Sequence, residues 1–408
     1  MNCRHCGTQL EHLFLDLGTA PPSNAYLSSL NLCRSETYYP LRVYVCDHCW
    51  LVQTQDYAHA TEYFSDDYAY FSSVSTGWLD HAARYVEMIR HRLELSSDSF
   101  VIEVASNDGY LLKNFVAAGI PCLGVEPTAG TAAAAEALGI PVKREFFTQE
   151  FANQLLVDGQ QADLIIGNNV LAHVPDINDF TQGLKTALKV GGVTTLEFPH
   201  LLRLIEGVQF DTVYHEHFSY LSLGTVVQIF EGAGLTVFDV EELPTHGGSL
   251  RVYGTHAEVG RKQKSIVNVI LALEVKQGLR DLEVYRGFQA RADRIKNELL
   301  AFLLEQKQSG KTVAAYGAAA KGNTLLNYAG IKGDLITVVY DAAPSKQGRF
   351  MPGSRLPILS PDRLYKERPD WLLILPWNIS REVMEQHGGI REWEGRFVTS
   401  IPHLTVLD

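Results

Sequence analysis

Four cysteines of this chain form two Cys-x-x-Cys pairs, Cys3 with Cys6 and Cys46 with Cys49. Two such pairs bring four thiolates together, and a tetrahedron of soft ligands is what Zn²⁺ prefers. A redox-active dithiol is the alternative, but neither pair opens a predicted helix. A histidine inside each pair offers a substitute ligand, although we expect both histidines to be ordinary loop residues. The spacing therefore predicts a structural zinc site that clamps an N-terminal lobe.

A second concentration of reactive side chains is the block Tyr214-His215-Glu216-His217-Phe218-Ser219-Tyr220. Histidine titrates near neutrality and a neighbouring carboxylate can orient it, so the block indicates acid–base chemistry. In an extended segment, alternation would place Tyr214 and Glu216 on one face and His215 and His217 on the other, whereas a turn would let them converge. A His-x-His metal site and buried structural polar residues are the two alternatives.

A strand followed by a tight turn at 101–109 has the form of a nucleotide site, because such a turn points N–H groups at a ligand. Glu126 ends the next strand, where an acidic residue accepts hydrogen bonds from ribose hydroxyls. The usual glycine fingerprint is missing, which disfavours NAD and FAD and favours S-adenosylmethionine (SAM). The candidate SAM-binding residues are Glu103, Ala105, Ser106, Asn107, Asp108, Gly109, Glu126, Pro127, Asn168 and Asn169.

Short apolar strands alternating with helical segments predict an α/β fold with a mostly parallel, doubly wound sheet. In the middle of the chain, strands are expected at 100–105, 122–125, 164–167 and 193–198. Helices are expected from about Trp78 to Leu93 and over 109–118. The segments 163–175 and 189–199 resemble the fourth and fifth strands of class I methyltransferases, and another Rossmann-like enzyme is the alternative.

A second α/β unit follows a proline-free stretch at 256–308, which predicts one long helix or a helical pair. Its strands are expected at 313–316, 336–340 and 372–375. The chain thus divides into a zinc-binding lobe (1–70), a SAM-binding domain (71–255), a helical connector (256–310) and a C-terminal Rossmann-like domain (311–408).

The turn at 316–323 in this last domain predicts a phosphate cradle built from backbone N–H groups, a helix N-terminus and one lysine. A second NAD site is the rival interpretation, which the incomplete glycine fingerprint disfavours, and a domain retained only for stability is another. The candidate substrate-binding residues here, at the ends of predicted strands, are Tyr316, Ala318, Lys321, Asn323, Lys346, Trp377 and Asn378.

The composition narrows the range of partners. With a net charge of −12 over 408 residues, the chain lacks the basic footprint of a nucleic-acid binder. It has neither an N-terminal apolar run nor a stretch of about 20 apolar residues, so we predict no signal peptide and no membrane span. Cysteines kept reduced for zinc fit the cytoplasm. We expect a cytoplasmic monomer that acts on a small molecule.

Taken together, these motifs resemble the sugar C-methyltransferases of bacterial deoxysugar pathways, from end to end of the chain. The resemblance rests on the paired cysteines, the turn at 103–109 and the 214–220 block. It extends to an aromatic stretch at 63–73, the His-Gly-Gly-Ser-Leu-Arg loop at 246–251 and the Tyr-Gly-Ala-Ala-Ala-Lys-Gly-Asn segment at 316–323. The glycine-poor turn is also typical of that family.

The resemblance implies a class I methyltransferase fold, SAM and structural zinc as cofactors, and methylation at C3 of a nucleotide-diphosphate-linked 4-keto-6-deoxysugar. It makes His217 the expected base and gives the nucleotide diphosphate to the C-terminal domain. Further candidates in the catalytic site are Tyr214, Glu216, His173, Tyr68 and Tyr70; those for holding the substrate are His215, Ser219, His246, Ser249 and Arg251.

Elementary chemistry agrees, because a 4-ketone acidifies the proton on C3. His217 would remove that proton, and Tyr214 or His173 would stabilise the resulting enolate oxygen. Glu216 would orient the imidazole or bind a sugar hydroxyl. A zinc-stabilised O- or N-methyltransferase, and a sugar-nucleotide-binding protein without enzymatic activity, are the alternative functions.

Overall fold

A computed structural model describes residues 1–57 and 71–408, and these residues form three β-sheets of four, seven and six strands. The first sheet is antiparallel and belongs to the N-terminal lobe. It comprises β1 (His12–Ala20), β2 (Tyr39–Val45) and β3 (Val52–Thr54), joined by a distant strand, β9 (Ser219–Tyr220). A 3-10 helix, Ser29–Cys33, lies between β1 and β2. The end of the 214–220 block is therefore part of the N-terminal lobe's sheet.

Strand β2 illustrates why this sheet forms. Leu41, Val43 and Val45 are buried while the residues between them are more accessible, which is the period of two expected of a strand with one covered face.

The seven-stranded sheet has the order β10-β11-β8-β7-β4-β5-β6. Strands β4 to β8 run parallel to one another, and β11 is antiparallel to both of its neighbours, β8 and β10. This confirms the predicted class I methyltransferase architecture. The strands are β4 (Val101–Val104), β5 (Cys122–Val125), β6 (Val142–Lys143), β7 (Ala162–Asn168), β8 (Leu188–Pro199), β10 (Leu235–Leu243) and β11 (Ser249–His256).

Seven α-helices accompany this sheet in the described part of the chain. They are α1 (Thr76–Arg92), α2 (Leu112–Ala117), α3 (Ala129–Ala137), α4 (Gln149–Val157), α5 (Ile177–Ala187), α6 (Leu201–Glu206) and α7 (Leu223–Gly232). Helix α1 matches its prediction and buries Ala82, Tyr85, Val86 and Ile89 on one face, after an N-cap at Ser75.

Helix α2 is shorter than predicted. Gly109 lies in the preceding turn with φ at +77°, a conformation that an L-residue rarely adopts. A Cβ at this position would also stand 2.5 Å from Ile140 Cδ1. The glycine thus keeps the first predicted residues of the helix in the preceding turn, and the helix begins at Leu112.

The connector contains three helices, α8 (Ser265–Lys276), α9 (Leu282–Arg286) and α10 (Phe288–Gln308), rather than the one or two predicted. The break between α8 and α9 has local causes, since Gly278 has φ at +84° and the Asp281 side chain caps α9.

The C-terminal sheet has the order β14-β13-β12-β15-β16-β17, parallel except for β17. Its strands are β12 (Val313–Tyr316), β13 (Val339–Tyr340), β14 (Ile358–Leu359), β15 (Trp371–Ile374), β16 (Arg396–Thr399) and β17 (Thr405–Leu407). Its helices are α11 (Ala320–Tyr328), α12 (Leu364–Glu367) and α13 (Ser380–Gln386). The strand predicted at 336–340 is confined to its last two residues.

One apolar core joins the N-terminal lobe to the connector and the C-terminal domain. Phe14 of β1 contacts Tyr285 and Phe288, with ring centroids 5.5 and 4.6 Å apart. The N-terminal lobe is therefore held against the C-terminal domain as well as against the seven-stranded domain. Among the described helices, none has the length and apolarity needed to cross a bilayer.

Candidate active site

The four paired cysteines converge on one point. Their sulfur atoms all lie within 4.8 Å of one another, which suits four-coordinate zinc. Hydrogen bonding with the Cys49 thiol, with further bonds from backbone N–H groups and the Gln53 amide, lowers the pKa of the Cys3 thiol against the opposing effect of burial. The His5 Nδ1–H instead donates to the Oδ1 of Asn178 at 2.8 Å. The donor set therefore fits structural zinc, and the histidine is not needed as a ligand.

The turn after β4 is stabilised by Glu126. One carboxylate oxygen accepts the Asn107 N–H at 2.9 Å, and the other accepts the Thr128 N–H at 3.0 Å. Asn107 and Ala105 have φ near +50° and +55°, so this is a left-handed turn built without glycine at those positions. Glu126 holds the turn itself, and its remaining lone pairs are free to accept ribose hydroxyls.

Several polar atoms around this turn are buried without a hydrogen-bond partner among the described residues. They are the Ser106 hydroxyl, Asp108 Oδ1, and the amide oxygens of Asn168 and Asn169. Burial raises the pKa of the neighbouring Glu103 well above its usual value, although a hydrogen bond with Tyr110 opposes this rise. Buried polar atoms of this kind mark a ligand site, because each costs free energy until it is paired. The residues around this turn, together with Gly109, are those that would hold SAM. Pro127, another candidate, directly follows Glu126.

Asn169, directly after β7, contacts the loop before β11. Its amide nitrogen lies 3.1 Å from Nε2 of His246, whose ring also contacts Trp78 at 5.2 Å. Burial, with the nearby Lys321 ammonium, lowers the pKa of His246 to about 4. His246 is therefore a neutral imidazole at the boundary between the predicted SAM site and the C-terminal domain.

The 214–217 segment is a turn, closed by the His217 N–H bonding to the Tyr214 carbonyl at 2.9 Å. The turn, and not alternation along a strand, sets the side-chain directions. His217 lies against the rings of Tyr214 and His173, with centroids 3.9 and 4.6 Å away. His215 turns the opposite way, towards the carbonyl oxygens of Tyr39 and Pro40 in the N-terminal lobe.

The ring of His217 has a defined tautomer. Its Nδ1 lies 2.8 Å from the carbonyl oxygen of Thr212, and a carbonyl only accepts, so Nδ1 carries the hydrogen. Loss of water contact, followed by the neighbouring His173, lowers the pKa of His217 well below its usual value. Burial likewise lowers the pKa of His173 to about 4. His217 thus presents a neutral imidazole with an unprotonated Nε2.

Glu216 makes a different contact from the one expected of an orienting carboxylate. Both of its oxygens accept from Asn24 Nδ2, at 2.9 and 2.7 Å, and Thr212 is the residue that orients His217. Burial raises the pKa of Glu216 to about 7, against the lowering effect of Asn24. This arrangement favours the second expected role, the binding of a sugar hydroxyl.

Two predicted substrate residues, Arg251 and Ser249, are engaged inside the seven-stranded domain, and a third, Ser219, lies in the sheet of the N-terminal lobe. Arg251 bonds to the buried Glu197 at 2.8 Å and stacks on Tyr85 at 4.4 Å. The Ser249 hydroxyl donates to the Thr245 carbonyl, and Ser219 lies in β9, beside Gln53 of β3. Arg251 and Ser249 therefore support the loop that carries His246.

The C-terminal domain contributes Lys321 to the same cleft. Its ammonium donates to Asn378 Oδ1 at 2.8 Å and lies 4.9 Å from the Trp377 ring centroid. Trp377 Nε1 in turn donates to Asp211 at 2.8 Å. Burial raises the pKa of Asp211 to about 6, although Lys321 opposes this rise. Asp211 was not a predicted site residue, and no motif in the sequence singles it out.

The predicted phosphate cradle is partly occupied by the protein itself. The Ala318 N–H donates to Asp341 at 2.6 Å, and the Ala318 carbonyl accepts from Lys346 at 2.9 Å. The Tyr316 ring faces His387 at 4.8 Å, and Asn323 donates to the Ser23 carbonyl. The cradle predicted from backbone N–H groups thus loses one donor, and Lys321 is the cation that remains directed to the cleft.

Tyr68 and Tyr70, the remaining catalytic candidates, lie outside the described residues. The chain that follows them is attached to the SAM turn, because the N–H groups of Ser72 and Ser73 donate to the side chains of Asn107 and Asp108.

Comparison with known families assigns all three parts of this architecture. Residues 3–64 match the model described as "Putative zinc binding domain", residues 78–240 match "Methyltransferase domain", and residues 244–402 match "C-methyltransferase C-terminal domain". The C-methyltransferase NovU of Streptomyces niveus is 33% identical over 405 residues, which cover 99% of this chain and 96% of the relative.

Solved methyltransferase structures are similar to part of the chain. A SAM-dependent methyltransferase from Clostridium acetobutylicum is 10% identical, with 44% of this chain and 92% of that chain covered and a TM-score of 0.35. Magnesium protoporphyrin IX methyltransferase from Synechocystis, solved with bound SAM, is 13% identical, with 43% and 79% covered and a TM-score of 0.32. By its match along nearly the whole length of a relative and by its three domain matches, the chain belongs to the family of SAM-dependent C-methyltransferases with an N-terminal zinc-binding domain.

Proposed function

We propose that this C-methyltransferase transfers the methyl group of SAM to C3 of a nucleotide-diphosphate-linked 4-keto-6-deoxysugar. The observation that carries the proposal is the His217 imidazole, which is fixed by Thr212, kept neutral and placed among Tyr214 and His173. Oxygen and nitrogen acceptors have lone pairs, whereas a carbon acceptor must first lose a proton. A neutral, oriented base is therefore what carbon methylation requires of the protein.

The base acts through Nε2. Because Nδ1–H is bonded to Thr212, Nε2 takes the C3 proton, and the Thr212 carbonyl stabilises the imidazolium that forms. The low pKa of His217 matches a task in which it must start unprotonated at neutral pH. When bound, SAM supplies an electrophilic methyl group for the resulting carbanion.

Removal of the C3 proton places negative charge on the sugar O4. The Tyr214 hydroxyl is a candidate donor to it, since the centroid of the Tyr214 ring lies 3.9 Å from that of His217. One well-placed donor to such an oxyanion contributes about 3–4 kcal/mol. Glu216, which does not bond to His217 among the described residues, is assigned to a sugar hydroxyl.

The C-terminal domain is assigned to the nucleotide diphosphate. Lys321 supports this, because its charge reaches His217, His246 and Asp211 across the cleft. A cation in that position can hold a diphosphate while the attached sugar extends to His217.

The test is incubation with SAM and a panel of nucleotide-linked 4-keto-6-deoxysugars, with mass spectrometry to detect the addition of one methyl group. NMR of the product then locates the methyl. A 4-ketone acidifies the protons on both C3 and C5, so the carbon position is a separate result. A methyl group on oxygen, on nitrogen or on C5 contradicts the proposal.

A further inference from the structure

The segment between β1 and the first 3-10 helix reaches from the N-terminal lobe into the catalytic cleft. This bridging segment, Ser23–Tyr26, follows two consecutive prolines and contacts both of the other domains. It carries none of the residues for which the sequence predicts chemistry.

Within the bridging segment, Asn24 contacts the candidate active site. Its amide nitrogen lies 2.9 and 2.7 Å from the two carboxylate oxygens of Glu216. Glu216 is 1% exposed, and Asn24 is the donor to its carboxylate among the described residues. Asn24 donates to this buried carboxylate through its backbone N–H as well as its side chain, so the carboxylate owes its position to one residue.

On both sides of Asn24, the bridging segment is fixed to the C-terminal domain. The Tyr26 hydroxyl donates to the Ala318 carbonyl at 2.5 Å, and Asn323 Nδ2 donates to the Ser23 carbonyl at 2.6 Å. Ser23, Tyr26 and Asn323 are all buried. Asn24 is therefore held from both sides, with little freedom to leave Glu216.

We propose that Asn24 is a positioning residue for methyl transfer, which fixes the Glu216 carboxylate in the orientation that receives the substrate. The zinc-bearing lobe thereby completes a catalytic site that the other two domains form only in part. This inference rests on the proposed function for the identity of the substrate, but the contact between Asn24 and Glu216 is independent of it.

The charge on Glu216 gives the proposal a measurable consequence. An amide donor favours the ionised carboxylate, so its removal raises the pKa of Glu216 further. The groups that face Glu216 are the Tyr26 hydroxyl from the bridging segment and the His173 ring, which bonds to the Glu216 backbone. Burial raises the pKa of Tyr26 and lowers that of His173, so neither is charged near pH 7.

The experiment compares Asn24→Ala with Asn24→Asp, which keeps the shape of asparagine but removes the donor. Each is made in the wild-type and Glu216→Gln backgrounds, with Asn31→Ala in the adjacent 3-10 helix as the matched control. The measurements are kcat/KM from pH 6 to 9, the Kd for SAM and the zinc content.

We expect Asn24→Ala to lower kcat/KM about tenfold at pH 7 and by a smaller factor at pH 9, where Glu216 is ionised in either case and only its loss of orientation remains. Asn24→Asp should lower it further, and the Kd for SAM should not change. In the Glu216→Gln background, the pH-dependent effect of Asn24→Ala should disappear. The same loss in both backgrounds, or no loss in either, overturns the proposal.

If wild-type protein methylates none of the sugars, the proposed function fails. The contact between Asn24 and Glu216 is then tested without substrate. The midpoint of thermal unfolding is then followed against pH. Where Glu216 is present, Asn24→Ala should move the pH dependence of the unfolding midpoint to higher pH, and in the Glu216→Gln background it should not. The same shift in the Glu216→Gln background, or no shift in either background, contradicts the claim that Asn24 positions Glu216.

Discussion

The imidazole of His217 bonds through Nδ1 to the backbone carbonyl of Thr212, at 2.8 Å. A backbone carbonyl cannot titrate and moves little, so the ring keeps one tautomer and one orientation over the whole working pH range. The sequence suggested two tasks for Glu216, to orient the imidazole or to bind a sugar hydroxyl, and this contact separates them. Thr212 orients the proposed base, and Glu216 is left for the role that we propose for it, contact with the substrate.

Replacement of His217 by asparagine should stop turnover without stopping binding, because the C3 proton must leave before carbon attacks the methyl group. We expect kcat to fall by about 10²–10⁴, with an unchanged Kd for SAM. Exchange of the C3 proton in D₂O, followed by NMR without methyl transfer, should be lost as well. His215→Asn is the control, since His215 faces the N-terminal lobe. Full exchange in His217→Asn would move the base to His173 or Tyr214.

Zinc should be present at about one equivalent per chain in protein purified without added metal. Cys46→Ser should reduce the folded yield more than the activity per folded molecule, because the site clamps the lobe and lies outside the catalytic cleft. Cys33→Ser, at an exposed cysteine outside the cluster, should change neither. Metal-free protein that is folded and active would rule out a structural role.

Glu126→Ala should weaken SAM binding by about 1.5–3 kcal/mol, measured by calorimetry. The loss has two sources, the ribose contact and the support of the Asn107 and Thr128 N–H groups. Glu136→Ala on α3 removes only an exposed pair with Arg144 and should have little effect. Unaltered SAM affinity in Glu126→Ala would place the cofactor elsewhere.

Lys321→Met should raise KM for the nucleotide sugar about 10- to 100-fold, because a charge-assisted contact to the diphosphate is lost. The Kd for SAM should stay the same, since Lys321 belongs to the C-terminal domain. Lys311→Met, which breaks an exposed pair with Asp370, is the control. A selective loss of SAM affinity in Lys321→Met would contradict this assignment.

Glu216→Gln should become more stable relative to the wild type as the pH rises. Burial raises the pKa of Glu216 to about 7 from 4.5, so the folded state retains a proton that the unfolded chain releases. The stability contributed by this group therefore falls as pH increases through that interval. The advantage of the variant in unfolding free energy should be about 1 kcal/mol wider at pH 8 than at pH 6. Glu231→Gln, at an exposed site on α7, should show no such trend.

Local patterns in the sequence were sufficient to predict the zinc ligands, four of the seven strands of the SAM-binding domain and three of the six strands of the C-terminal domain. Cysteine spacing determines a metal site because two Cys-x-x-Cys pairs have few other uses, and apolar runs such as Cys122–Val125 determine strands because burial on both faces demands them. The residues of the turn at 103–109 could also be predicted as candidate SAM-binding residues from a local pattern, since strand, turn and helix are contiguous in the sequence there.

Only the tertiary structure decided which side chains meet in the cleft. The 214–217 turn directs His215 and His217 to different partners, and a hydrogen bond between residues three apart sets that direction. Asp211 and Asn24 acquire their roles from partners far along the chain, Trp377 and Glu216. A linear pattern records the periodicity of a strand or helix, but it holds no record of contacts between residues that are distant in sequence, and those contacts are what built this site.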